Sequence, residues 1–118
     1  MSSPEKKRGH YLGTEIDGKW WRRYSERGFF ARGLGEYWID ASALSFRRDL
    51  TDVPIVIAFR DVVEVTLGTW HSGRWAAGAP VVKIVWETGS RRLSSGFVVS
   101  RDERGARAFA GEIRSRIG

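Results

Sequence analysis

The residues best suited to chemistry crowd into one stretch, Gly68-Thr-Trp-His-Ser-Gly-Arg-Trp-Ala-Ala-Gly-Ala-Pro80. Trp70 and Trp75 offer flat apolar surfaces, His71 a titratable imidazole and Arg74 a planar cation. That set suits stacking and contact with an anion or a protein partner. It sits in a long connection for a small domain, and long connections are disproportionately functional. A structural reading competes, in which the tryptophans are core residues of an additional strand and His71 and Arg74 merely face solvent. Trp70, His71, Arg74 and Trp75 are therefore candidate ligand- or partner-contact residues of a 68–80 loop.

Catalysis and metal binding find less support. His71 stands beside Ser72, with Asp61 and Glu64 nearby, but adjacent residues of an extended chain point opposite ways, so His71 is badly placed to orient the Ser72 hydroxyl. A small hydrolase using His71 ranks last, and the chain reads as non-catalytic. Two histidines, His10 and His71, and no cysteine leave a structural zinc site without ligands. Gly33 and Gly35 precede a strand rather than a helix, so no phosphate loop forms there. No metal and no cofactor is called for.

A second set mixes aromatics with cations: Trp20, Trp21 and Tyr24 among Lys19, Arg22, Arg23 and Arg27. Such a mixture stacks bases and pairs phosphates, or lies on a membrane surface, or packs the aromatics on a sheet with the arginines outward. Arg22 and Arg23, with Arg47 and Arg48 further on, are the candidate anion contacts.

Charge sharpens this. The net charge is +6, and residues 33–100 carry seven basic and seven acidic side chains, so the excess lies at the two ends. Such ends attract nucleic acid or an anionic membrane surface weakly and in a salt-sensitive way. Neither a secretory apolar run nor a stretch of about 20 apolar residues occurs, and a cytoplasmic protein is expected.

The positioning elements follow from periodicity. Residues 1–17 read as a flexible basic leader, and 18–118 as a single domain. Trp20, Trp21 and Tyr24 recur at helix-like spacing before Gly28, predicting a short amphipathic helix. From Gly33 the period is two: Tyr37 and Ile39, a turn at Ala41–Ser42, then Leu44 and Phe46, predict a hairpin. Pro54 opens a strand of Ile55, Ile57 and Phe59. Val63, Val65 and Leu67 give the next, and Val82, Ile84 and Trp86 pair across a Gly89 turn with Leu93, Ser95, Phe97 and Val99. Ser100 and Glu103 are spaced as a capping box, and Ala106, Phe109, Ala110, Ile113 and Ile117 share one helical face. The prediction is a mainly β fold: a small antiparallel barrel or sandwich of six to seven strands capped by a C-terminal helix.

The runs Leu44-Ser-Phe, Pro54-Ile-Val-Ile, Asp61-Val-Val-Glu-Val, Lys83-Ile-Val-Trp and Ser95-Gly-Phe-Val, followed by the helix, resemble the pleckstrin-homology-like superfold, including its GRAM-like and bacterial branches. The resemblance covers about residues 33–117. It implies a non-catalytic module that binds phosphoinositides, peptides or partner proteins. Inositol-lipid binders of this superfold carry basic residues in the first strand and the loop after it. Taken as Glu36 to Ser42, that stretch holds two acidic residues and no basic one, so no lipid site is carried over. The function expected is a binding or scaffolding module for a protein partner or small anionic ligand at the 68–80 loop. The alternative is an electrostatic binder of membrane surface or nucleic acid through the basic ends.

Overall fold

The computed structural model describes residues 5–117 except 18, 25–28, 30–31, 72–73 and 76–77, and within strands omits the side chains of Trp20, Trp21, Arg23, Trp70, Arg74 and Trp75. The sheet is organised about β1 (Lys7–Ile16), which pairs antiparallel with β10 (Arg91–Val98) on one side and β3 (Gly33–Ile39) on the other. With β4 (Ala43–Arg48), β5 (Ile55–Ala58), β6 (Val62–Gly68) and β9 (Val81–Thr88), the strand order is β5-β4-β3-β1-β10-β9-β6. A short β2 (Lys19–Arg23) adds to the far end of β1. Two-residue strands β7 (Trp70–His71) and β8 (Arg74–Trp75) make a separate hairpin.

Alternation decides what lies inside. Leu93, Ser95 and Phe97 of β10 are buried with Val82, Ile84 and Trp86 of β9, while Ser94 and Gly96 take the outer face. The interior is aromatic: Tyr11, Phe46 and Phe97 meet with centroids 5.2–5.9 Å apart, and Phe29 lies 5.2 Å from Trp86. Helix α1 (Glu103–Ser115) closes the core with Ala106, Phe109, Ala110 and Ile113, and Phe109 meets the Tyr37 ring edge-on at 5.1 Å. This is the helix-capped, mainly antiparallel fold that the periodicity predicts.

Four local expectations are corrected. Residues 7–16 are not a leader but the strand at the centre of the sheet. A bulge between Tyr11 and Gly13 inserts Leu12 as an extra, unpaired residue and turns Thr14 inward, which hides the period of two. No helix spans 18–28 among the described residues. Instead Asp17, at φ +55, turns the chain back so that Lys19 pairs with Ile16 and Arg23 with Glu15. In β6 a second bulge buries Val62 and Val65 and leaves Val63 49% exposed, so Val63, Val65 and Leu67 do not share a face. The helix cap is Asp102, whose carboxylate accepts from the Gly105 amide at 2.8 Å. Ser100 accepts one turn earlier, from the Asp102 amide, and Glu103 pairs with Arg107.

Candidate functional site

The hairpin β7–β8 folds back over the outer face of the sheet, and His71 holds it there. Its ring is 1% exposed. Nε2 lies 2.7 Å from the Ser94 carbonyl oxygen, which can only accept, so Nε2 carries the proton. The ring rests on Gly96, where an added Cβ would come within 2.6 Å of it. Glycine is required there by the approach of the imidazole. Nδ1 makes no hydrogen bond and faces the Glu15 carboxylate at 3.8 Å. Burial pushes the imidazole below its ordinary range, Lys83 and Arg32 reinforce this, and Glu15 and the Ser94 bond oppose it.

His71 is thus inside the molecule rather than on a contact surface. Trp70 is in register with Trp75 and His71 with Arg74. The side chains of Trp70, Arg74 and Trp75 lie outside the described residues, so the grouping of all four rests on their place in one hairpin. Where this hairpin leaves and rejoins the sheet, a cleft of about 330 Å³ opens between Leu67, Gly68, Thr69, Gly78 and Pro80 on one side and Arg101 and Glu103 at the start of α1 on the other.

The second set is divided between β2, with Arg22 and Arg23, and β4, with Arg47 and Arg48. Arg22 is exposed and donates to Asp17 at 3.2 Å. Arg23 is paired through its backbone with Glu15, and its side chain is among those not described. Arg47 bridges Glu36 at 3.1 Å and the Thr51 carbonyl at 3.2 Å. Arg48 runs its stem past Gly33, and its Nε has no hydrogen-bond partner. Arg22 and Arg47 therefore engage separate carboxylates, Asp17 and Glu36. Closer to Arg22 is the β9–β10 turn, because the Asp17 amide donates to the Arg92 carbonyl at 2.8 Å and brings Arg91 and Arg92 alongside.

The sequence gives no sign of what fixes the connection between β1 and β3. Tyr24 and Phe29 are buried in the aromatic interior, at 3% exposure each. A chain of hydrogen bonds crosses the core to meet them. The Trp86 indole donates to Ser95 Oγ at 2.9 Å, Ser95 Oγ lies 2.6 Å from Thr14 Oγ1, Thr14 contacts the Tyr11 hydroxyl, and Tyr11 donates to the Phe29 carbonyl at 3.1 Å. With every donor used once, the chain runs in a single direction from Trp86 to Phe29. Burial pushes the Tyr11 phenol up, so it remains a donor. Each of these groups is an ordinary interior residue in one dimension; only strand pairing assembles them.

Compared with known proteins, the chain matches the bacterial PH domain-like family over residues 2–112 and belongs to that family. The match takes in β1, and so extends well before the 33–117 stretch that carries the resemblance in sequence. No curated protein matches the chain.

Proposed function

We propose that this bacterial PH domain-like protein is a non-catalytic binding module for an anionic ligand, with the connection 17–32 as its contact surface. The observation that carries the reading is the place of the first strand. With β1 at Lys7–Ile16, the segment after the first strand is 17–32 rather than the turn at 40–42. That segment holds Lys19, Arg22, Arg23, Arg27 and Arg32 against Asp17 and Glu26, in the position where the superfold's anion binders carry basic residues. Arg91 adds a cation in the β9–β10 turn beside it, Arg92 being paired with Glu64 and Glu87, and the Phe29 carbonyl tethers the connection to the core. A cytoplasmic setting, where anionic membrane surface and soluble phosphates are both at hand, fits this reading; among the described residues no helix is long and apolar enough to cross a membrane.

The test is a titration with vesicles of neutral lipid, with and without an anionic phospholipid, and in parallel with inorganic pyrophosphate. Vesicle binding alone assigns a surface, and pyrophosphate binding a soluble anion. Arg22→Glu combined with Arg91→Glu is expected to weaken binding by about tenfold or more, the scale of losing cations near an anionic surface. Binding that is absent in the wild type, or unchanged in the double variant, would contradict the proposal.

A second reading, a protein partner at the 68–80 hairpin, is favoured by the cleft beside Arg101. Trp70→Ala and Trp75→Ala separate contact from core. Contact residues leave melting within about ±0.5 kcal/mol of wild type, whereas a truncated core tryptophan costs about 3–5 kcal/mol. A hydrolytic role has less support, since His71 is enclosed and its Nε2 proton is committed to a backbone carbonyl.

A further inference from the structure

Alternation divides the start of the chain into two faces. On one, the Lys6 ammonium lies 5.2 Å from the centre of the Trp38 ring and Arg8 donates to Asp49 at 2.8 Å. On the other stand Glu5 and Lys7, with Lys7 in register with Tyr37 of β3 and Tyr37 against Phe109 of α1. Two adjoining cavities of about 160 and 360 Å³ open between these strands and the helix, and Lys7, Tyr37 and Glu112 line both. The smaller continues to Glu5 and Ile39, and the larger passes Phe109 and Ala108 to Val99. They form one groove, apolar along the helix and acidic toward Glu5.

Tyr37 is the unexplained group in it. The residue is 9% exposed, with its ring over Gly9, where an added Cβ would come within 3.0 Å of it, and edge-on to Phe109. Its hydroxyl makes no hydrogen bond among the described residues, although polar groups so enclosed are normally paired. The groove is the side from which a partner can reach it. Burial raises the phenol above its ordinary range, and the Glu112 and Glu5 charges raise it further, so it stays protonated. Among the described residues Glu5 and Lys7 make no ion pair, and Glu112 has only Arg116 at 3.7 Å, which also donates to the Asp40 carbonyl.

We propose that this groove receives a lysine or arginine side chain of a partner protein, its stem along Ala108 and Phe109 and its cation among Glu112, Glu5 and the Tyr37 hydroxyl oxygen. Such a side chain joins an apolar stem to a head that only donates, which complements an apolar wall ending in acceptors. An anion would meet two carboxylates and one ammonium. No cluster of three metal-ligating side chains occurs among the described residues. A free diamine would leave the wall between Phe109 and Val99 uncovered, whereas a peptide chain can lie along it. Lys7, exposed at the rim, is the cation that an incoming one must displace. The groove starts at the beginning of β1 and the connection 17–32 follows its end, so this site is tested apart from the anion surface.

Nuclear magnetic resonance titration of the full chain, followed through the ring signals of Tyr37 and Phe109, tests this. The probes are a capped Ala-Leu-Lys-Leu-Ala peptide, its Arg and Gln counterparts, and the free diamine putrescine. The Lys or Arg peptide is expected to shift both rings saturably. The Gln peptide is expected to bind about tenfold more weakly or not at all, the loss of one charge-assisted contact. Tyr37→Phe and Glu112→Gln are each expected to weaken binding several-fold while melting stays as in the wild type. Lys7→Gln is expected to tighten it by removing a like charge. No saturable shift with either charged peptide, equal binding of the Gln peptide, unchanged affinity in Tyr37→Phe and Glu112→Gln, or weakening in Lys7→Gln would overturn the proposal. Putrescine bound as tightly as the peptides would overturn its assignment to a protein partner.

Discussion

Two glycines and a histidine show how much a single position can depend on partners far along the chain. Gly96 is indispensable because the His71 ring lies where its side chain would be, and Gly105 because Ser100 Oγ would stand 2.3 Å from an added Cβ. Gly96→Ala is expected to displace the imidazole, cost about 1–3 kcal/mol as overpacking does, and speed proteolysis between residues 69 and 80. Urea melts and limited digestion check both effects. Ser95→Ala removes the middle of the hydroxyl chain and leaves the Trp86 N–H without its acceptor, a loss of about 1–3 kcal/mol for a buried orphan. The sequence singles out His71 as titratable but places it on a surface. Its surroundings come from Glu15, Ser94 and Lys83, which are 56, 23 and 12 positions away. No spacing rule links residues whose meeting depends on two strand registers and a fold-back.

Elements were legible where one period ran unbroken. The β3–β4 and β9–β10 hairpins and the apolar stripe of α1 all stand where alternation and helical spacing put them. Legibility failed at irregularities. The Leu12 bulge disguises β1 as a polar leader, and Asp17 at positive φ folds 19–23 back as a strand where aromatic spacing suggests a helix. The helix cap tells the same story one residue at a time, for Asp102 caps and Ser100 holds the turn before it. Asp102→Ala is accordingly expected to destabilise the protein by about 1 kcal/mol, whereas Glu103→Gln changes melting little, since its partner Arg107 is exposed. Phe109→Ala, which empties the contact with Tyr37, is expected to cost about 3–5 kcal/mol. Thermal or denaturant melts rank these three variants, and the order Phe109, Asp102, Glu103 is the one the packing requires.

At the scale of the molecule, a charge surplus that looks terminal in sequence becomes local in space. Most of the N-terminal excess falls in the sequence of one connection, 17–32, whose Asp17 sits against the β9–β10 turn, while His71 holds the 68–80 hairpin on the outer face of the sheet. The hairpin approaches that connection where His71 faces Glu15, the β1 partner of Arg23, but the two candidate surfaces are different chain segments, and a single map can tell them apart. That map is amide hydrogen exchange of the full chain at neutral pH and low salt, with and without vesicles containing an anionic phospholipid. Protection gained across residues 17–32 and 88–92, and lost again at high salt as screened contacts must be, is the result that anion binding through the first connection predicts. Protection confined to 68–80, or none at either place, would contradict it.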